Sequence, residues 1–106
     1  MITLAQRIRA RQEVVAVEMV CQSYKIGKTG QSVDDRYINS DYPDNYNHIK
    51  PIFSGSKQDA SEMESYLIDC CKDHYKCDNR KDGEASYNDE MADAEVYHVY
   101  VVWKQR

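Results

Sequence analysis

The sequence holds one Phe and one Trp beside nine Tyr, so its aromatic surface is unusually able to hydrogen-bond. Long apolar runs are missing: stretches such as Val14 to Val17 fall far short of the roughly 20 residues that span a bilayer, and no membrane segment is expected. The opening residues, MITLAQRIRARQE, lack the apolar region of a secretion signal and carry three Arg within five residues, which points to an intracellular protein. Positive charge is in short supply. Eighteen acids against 14 bases leave a formal charge of -4, which excludes a long-range field drawing the whole protein toward nucleic acid. A chain of 106 residues has room for one core, so a single domain over 1–106 is expected. There is no internal repeat.

Four Cys stand at 21, 70, 71 and 77. The adjacent pair Cys70-Cys71 falls in a helical pattern where paired bridges are awkward, so reduced thiols are expected.

Residues 2–12 read as a helix, with Thr3 as N-cap and Ile2, Leu4 and Ile8 on the stripe that packs against a sheet. From Glu13 to Thr29 the β-branched content predicts one long strand, or two joined near Cys21 to Ser23. Ser32, followed by Asp34 and Asp35, caps a short helix over about 33–39. Turn formers fill 40–48, and a short strand, His48 to Phe53, ends before Gly55.

The clearest helix covers 59–74, where Ala60, Met63, Leu67, Cys70, Cys71 and His74 share one stripe. Glu64 lies close to that stripe and Glu62 almost opposite it, so Glu64 faces inward and Glu62 faces water. An inward carboxylate needs a charged partner or a metal ion. Residues 76–94 are polar and aperiodic and predict an irregular connection. The last segment, EVYHVYVVW, reads as a strand whose apolar content suits the centre of a sheet.

Two blocks carry a family resemblance. YKIGKTGQSVDDRY, Tyr24 to Tyr37, is similar to the YIG half of the GIY-YIG nuclease domain, in a bacterial and phage subgroup whose version reads YKIG-T, a Ser-Val pair, two acids and Arg. IFSGSKQDASEMESYLI resembles that family's strand, Gly-containing turn and glutamate-bearing helix, with Ala60 and Glu64 in an A-x-x-x-E relation. Together they span about 24–71. The resemblance implies an α+β fold, a small and mainly antiparallel three-stranded sheet flanked by helices. It also implies an endonuclease: a Tyr hydroxyl or phenolate activates water, Arg36 stabilises the charged phosphoryl transition state, and Glu64 holds one Mg²⁺ or Mn²⁺. The implied partner is nucleic acid, DNA before RNA, with a homo-oligomer or a host protein as further partners.

The chain departs from the family in its tyrosines. No G-I-Y precedes YKIG, and either Tyr24 or Lys25 takes the catalytic position, since they sit on opposite faces of a strand. Were the last strand to lie beside YKIG, it would supply Tyr97 or Tyr100 instead. The alternative function is a catalytically degenerate module of a phage or mobile element that contacts nucleic acid or a host protein, a reading the acidic charge favours.

Other constellations have plainer explanations. Cys70, His74 and Cys77 follow a helical spacing that suggests zinc, yet three ligands on one helix close no tetrahedral site unless Cys21 or another residue joins. Buried thiols on a core face are the stronger reading. His48 and His98 as proton carriers, and Tyr37, Tyr42 and Tyr46 as a base-stacking loop, rank behind ordinary packing. Asn79 and Asn88 lie where the family often has a late Asn, and nothing chooses between them.

Overall fold

The computed structural model describes residues 1–79 and 94–106. Thr3 opens the first helix, α1 (Leu4–Glu18), with a capping box: its side chain accepts from the Gln6 N–H while the Gln6 side chain accepts from the Thr3 N–H. The helix runs six residues past the expected 12. Ala10, Val14 and Val17 recur at spacings of four and three, which puts them on one buried face that a strand could not present to a single neighbour. Leu4 and Ile8, expected to pack on the sheet, point to solvent.

Strand β1 (Cys21–Thr29) follows, then α2 (Val33–Ile38), capped by Ser32 with Asp34 and Asp35 in its first turn. The expected loop over 40–48 contains one helical turn, α3 (Tyr42–Asn45), with Pro43 in its first positions. Strand β2 (His48–Gly55) leads through the Ser56 cap into α4 (Lys57–Cys71), and β3 (Tyr97–Gln105) closes the chain. The sheet is antiparallel with order β1-β3-β2. The α+β architecture is therefore as expected, with four helices among the described residues.

Strand β3 is central, and both its faces are covered, which explains its unbroken apolar run. Tyr97, Val99 and Val101 face α1 and α4 in the larger core, together with Tyr24, Ile26, Ala60, Met63 and Leu67. Tyr100 and Val102 face the other way, where Tyr42, Tyr46, Val33, Tyr37 and Ile49 form a smaller, aromatic core. None of the described helices is long and apolar enough to cross a membrane.

The outer edge of β1 is closed by the chain that leaves α4. The Tyr24 N–H donates to the Lys76 carbonyl and the Asp78 N–H donates to the Tyr24 carbonyl, a parallel bridge around Cys77. One step further, Asn79 replaces a peptide unit: its Oδ1 accepts from the Ile26 N–H at 2.8 Å and its Nδ2 donates to the Ile26 carbonyl at 2.9 Å. A strand edge left open templates pairing with other chains, and this one is covered. Asn79→Ala strips two buried backbone groups of their partners and is expected to cost about 2 kcal/mol in urea unfolding, with Asn79→Asp intermediate because it keeps the acceptor. Asn88 lies outside the described residues.

Candidate functional site

The pairing of β1 with β3 sets Tyr100 directly opposite Gly27, with Pro51 of β2 on its other side. The Tyr100 ring lies over the Gly27 backbone so closely that a Cβ there would fall 2.4 Å from the phenol oxygen and 2.6 Å from Cζ. Glycine is thus required at 27 by close approach, and the YKIG motif is the seat of a ring from the last strand. The Tyr100 hydroxyl meets the Tyr42 hydroxyl at 2.8 Å, and the two rings stand edge to face. Above Tyr42 lies Arg36, its guanidinium carbon 5.2 Å from the ring centroid. One turn of α2 has brought Arg36 over the sheet, half-buried.

Burial pushes the Tyr100 hydroxyl well above the usual phenol range and Tyr42 adds to this, while the charge and hydrogen bonding of Arg36 act in the opposite direction. Tyr24 is raised too, by burial first and then by its hydrogen bond to Glu18. Both groups titrate higher in the folded chain than in the unfolded one, near 10. The stability they contribute is therefore complete below about pH 10 and is lost as pH rises beyond it, at about 1.4 kcal/mol per pH unit for each. Absorbance at 295 nm is expected to show these two tyrosines ionising only with unfolding, and Tyr100→Phe is expected to flatten the alkaline decline.

The remaining expected site residues divide between the two faces. Tyr24 is fully buried on the α1–α4 side, donating to Glu18 and leaning on His74, so it is separated from Arg36 by the sheet. Lys25 is half-buried and lines a groove of 570 Å³ with Lys104, Asp41, Asn45, Asp78 and the edges of Tyr42 and Tyr46. The structure thus brings Arg36 and Tyr100 together on Tyr42, while Lys25 lines the adjoining groove, whose wall includes Tyr42 but neither Arg36 nor Tyr100. Glu64 is buried on the α4 side as expected. Its Oε1 lies 3.5 Å from the ammonium of Lys28, and both side chains are almost wholly excluded from solvent.

Lys28 also donates to Ser61 at 3.1 Å. Glu62, by contrast, takes Arg7 at 3.2 Å from the rim of α1. A divalent ion at Glu64 would need solvent or phosphate oxygens for most of its ligands, and here the carboxylate is closed off with an ammonium already against it. Among the described residues no three His, Cys, Asp or Glu side chains cluster as a metal site. The residues present fit a buried ion pair and do not fit an open Mg²⁺ or Mn²⁺ centre.

The cysteine pattern resolves differently from its spacing. Cys70 is exposed, and it is Cys71 that meets Cys77, with Sγ atoms 3.2 Å apart and all four thiols free. The hydrogen bond from Cys71 holds the Cys77 thiol down to about 7. His48 stacks on Trp103, and His98 shares a hydrogen bond with Ser54 on the β2–β3 surface. Tyr42 and Tyr46 are core residues, and Tyr37 donates to the Tyr46 carbonyl, so this loop packs instead of presenting free rings.

Four contributors escape sequence reading: Tyr42 as the link to Arg36, Lys28 turned inward, Asn79 on the strand edge, and Lys104 at the groove. Only the alternation of β1, which puts Lys28 on the same face as Tyr24 and Ile26, carries a signal for one of them. Comparison of the chain with protein-family models, with curated proteins and with solved structures returns no match.

Proposed function

We propose that this chain is a GIY-YIG-like domain that binds a nucleic-acid phosphate backbone through the face bearing Arg36, Lys25 and Lys104, and that it acts as a binding module. One observation carries the choice of binding over hydrolysis: the groups that hydrolysis would call on are engaged elsewhere. Tyr100 is a neutral phenol sealed by Tyr42, Tyr24 is bonded to Glu18 across the sheet, and Glu64 is neutralised by Lys28. Arg36 offers a planar fork suited to phosphate oxygens, and Tyr42 beneath it limits the rotamer freedom that binding would otherwise remove. Lys25 and Lys104 add two ammonium groups to the neighbouring groove, where Asp41 and Asp78 balance them, so Arg36 supplies the leading phosphate contact.

Phosphodiester hydrolysis is the second reading, favoured by the meeting of Arg36 with Tyr100, a tyrosine that takes the place of the missing first motif. A nicking assay on plasmid and branched DNA, with Mg²⁺ or Mn²⁺ added, separates the two. Binding without cleavage is the expected result. Cleavage that disappears in Arg36→Ala, with circular dichroism and urea unfolding unchanged, would establish the second reading.

A further inference from the structure

Two thiols face each other beside the outer edge of β1. Helix α4 ends at Cys71, and two tight turns fold the following residues back on it: the His74 N–H donates to the Cys71 carbonyl, and the Cys77 N–H donates to the His74 carbonyl. Cys77 is thereby returned to the end of the helix, its Sγ 3.2 Å from that of Cys71, with both side chains buried. Of the four thiols these two are the pair in contact, while Cys70, next to Cys71 in the chain, is exposed.

The pair is also chemically unequal. The hydrogen bond from Cys71 lowers the Cys77 thiol, burial opposes this, and the Asn79 backbone N–H adds to the lowering, whereas Cys71 is raised by Cys77 and by burial. Cys77 is therefore the thiolate that attacks and Cys71 the thiol that resolves. A disulfide is about 2 Å long, so the sulfurs need to close by roughly 1 Å, a movement within reach of small side-chain rotations. With a hydroperoxide as oxidant, the Cys77 thiolate attacks one peroxide oxygen and the O–O bond breaks. Cys77 becomes a sulfenic acid, and the departing hydroxide takes up the thiol's proton as water. The Cys71 sulfur then attacks the Cys77 sulfur, the S–O bond breaks, and the hydroxide leaves with the Cys71 proton as a second water. Two electrons pass from the thiols to the peroxide.

Cys77 sits within the strap that covers β1. Lys76 and Asp78, on either side of it, pair with Tyr24, and Asn79 pairs with Ile26. In the reduced chain these hydrogen bonds tie the strap to the strand, and local opening bares both the strand edge and the two thiols. In the oxidised chain a covalent ring over residues 71–77 fastens the strap to the end of α4 as well. We propose that Cys71 and Cys77 are a redox-active pair whose oxidation by a hydroperoxide to a disulfide latches the strap over the edge of β1. The latch stands apart from the nucleic-acid reading and uses neither Arg36 nor the lysines of the groove.

The Cys70→Ser chain loses the exposed thiol and keeps three, Cys21, Cys71 and Cys77, without touching the buried pair. After treatment with hydrogen peroxide and maleimide labelling on unfolding, its free thiols are expected to fall from three to one, and dithiothreitol to return them to three. Peptide mapping is expected to join Cys71 to Cys77. Hydrogen exchange at the Tyr24 and Asp78 amides is expected to slow at least about tenfold in the oxidised chain, because opening the strap then works against a covalent ring. Three free thiols after treatment, a loss that dithiothreitol does not reverse, or a bridge to Cys21 would overturn the redox pair. A bridge between Cys71 and Cys77 that leaves exchange at Tyr24 and Asp78 unchanged would overturn the latch.

Discussion

Lys28→Met is expected to lower the free energy of unfolding by about 4 kcal/mol, because it removes the ammonium that faces Glu64 while leaving the carboxylate inside the protein. The side chains of Lys28 and Glu64 are 2% and 1% exposed, so water cannot take over the role of the missing charge. The long Met side chain keeps the aliphatic packing of Lys28, which isolates the electrostatic part of the loss. Replacing both partners, Lys28→Met with Glu64→Leu, is expected to restore most of the stability, since an apolar pair of similar volume avoids the desolvation that a buried ion pair carries. Urea unfolding of the four chains of this cycle checks the result. A loss as large in the double variant as in Lys28→Met would show that shape, and not charge, is what the pair contributes.

Gly27→Ala is expected to cost about 3 kcal/mol, at the upper end of what one added methyl does in a packed site. The new carbon would stand 2.4 Å from the Tyr100 oxygen, well inside contact distance. A flexible side chain would swing clear, but Tyr100 is buried against the sheet and its hydroxyl is held by Tyr42 at 2.8 Å. Moving the ring breaks that hydrogen bond and disturbs Tyr42, on which Arg36 rests. The loss is expected to shrink when Tyr100→Ala vacates the space, so the double variant is less unstable than the sum of the singles. Additivity in this cycle would mean that the ring does not lie over Gly27.

Sequence pattern made the fold from Ser32 onward the more legible part, because its signals conflict less. Ser32 caps α2 where its hydroxyl precedes Asp34 and Asp35, and the run in β3 suits a strand covered on both faces. Helix α4 keeps the stripe through Ala60, Met63 and Leu67, although it runs over Lys57–Cys71 under a Ser56 cap instead of 59–74 and leaves Cys70 exposed. The first half misled. VVAVE has the β-branched content of a strand, yet Ala10, Val14 and Val17 also satisfy a helical face, and the capping box at Thr3 starts a helix that carries through it. Leu4 and Ile8 then had to turn outward, which a pattern of apolar residues alone does not reveal.

At the candidate site, Arg36 and Glu64 were visible as residue types at family spacings, but their neighbours were not. Whether Tyr24 or Tyr100 reaches Arg36 depends on β1 pairing with a strand 68 residues further on, as the register from Ser23 opposite Lys104 to Thr29 opposite His98 shows for Gly27 and Tyr100. Lys28, three residues from Lys25, is turned to the opposite face by the strand's alternation and ends against Glu64. Asn79 reads as a loop residue, and nothing local says that its amide will stand in for a peptide.

Binding of labelled DNA, followed by fluorescence anisotropy for the native chain and for Arg36→Ala at about 50 and about 200 mM salt, tests the central claim most directly. The Arg36 face predicts affinity that falls with salt, at least a tenfold weaker complex for Arg36→Ala, and a shallower salt slope for that variant, since one phosphate contact is gone. Equal affinity and equal slope for the two chains would contradict it.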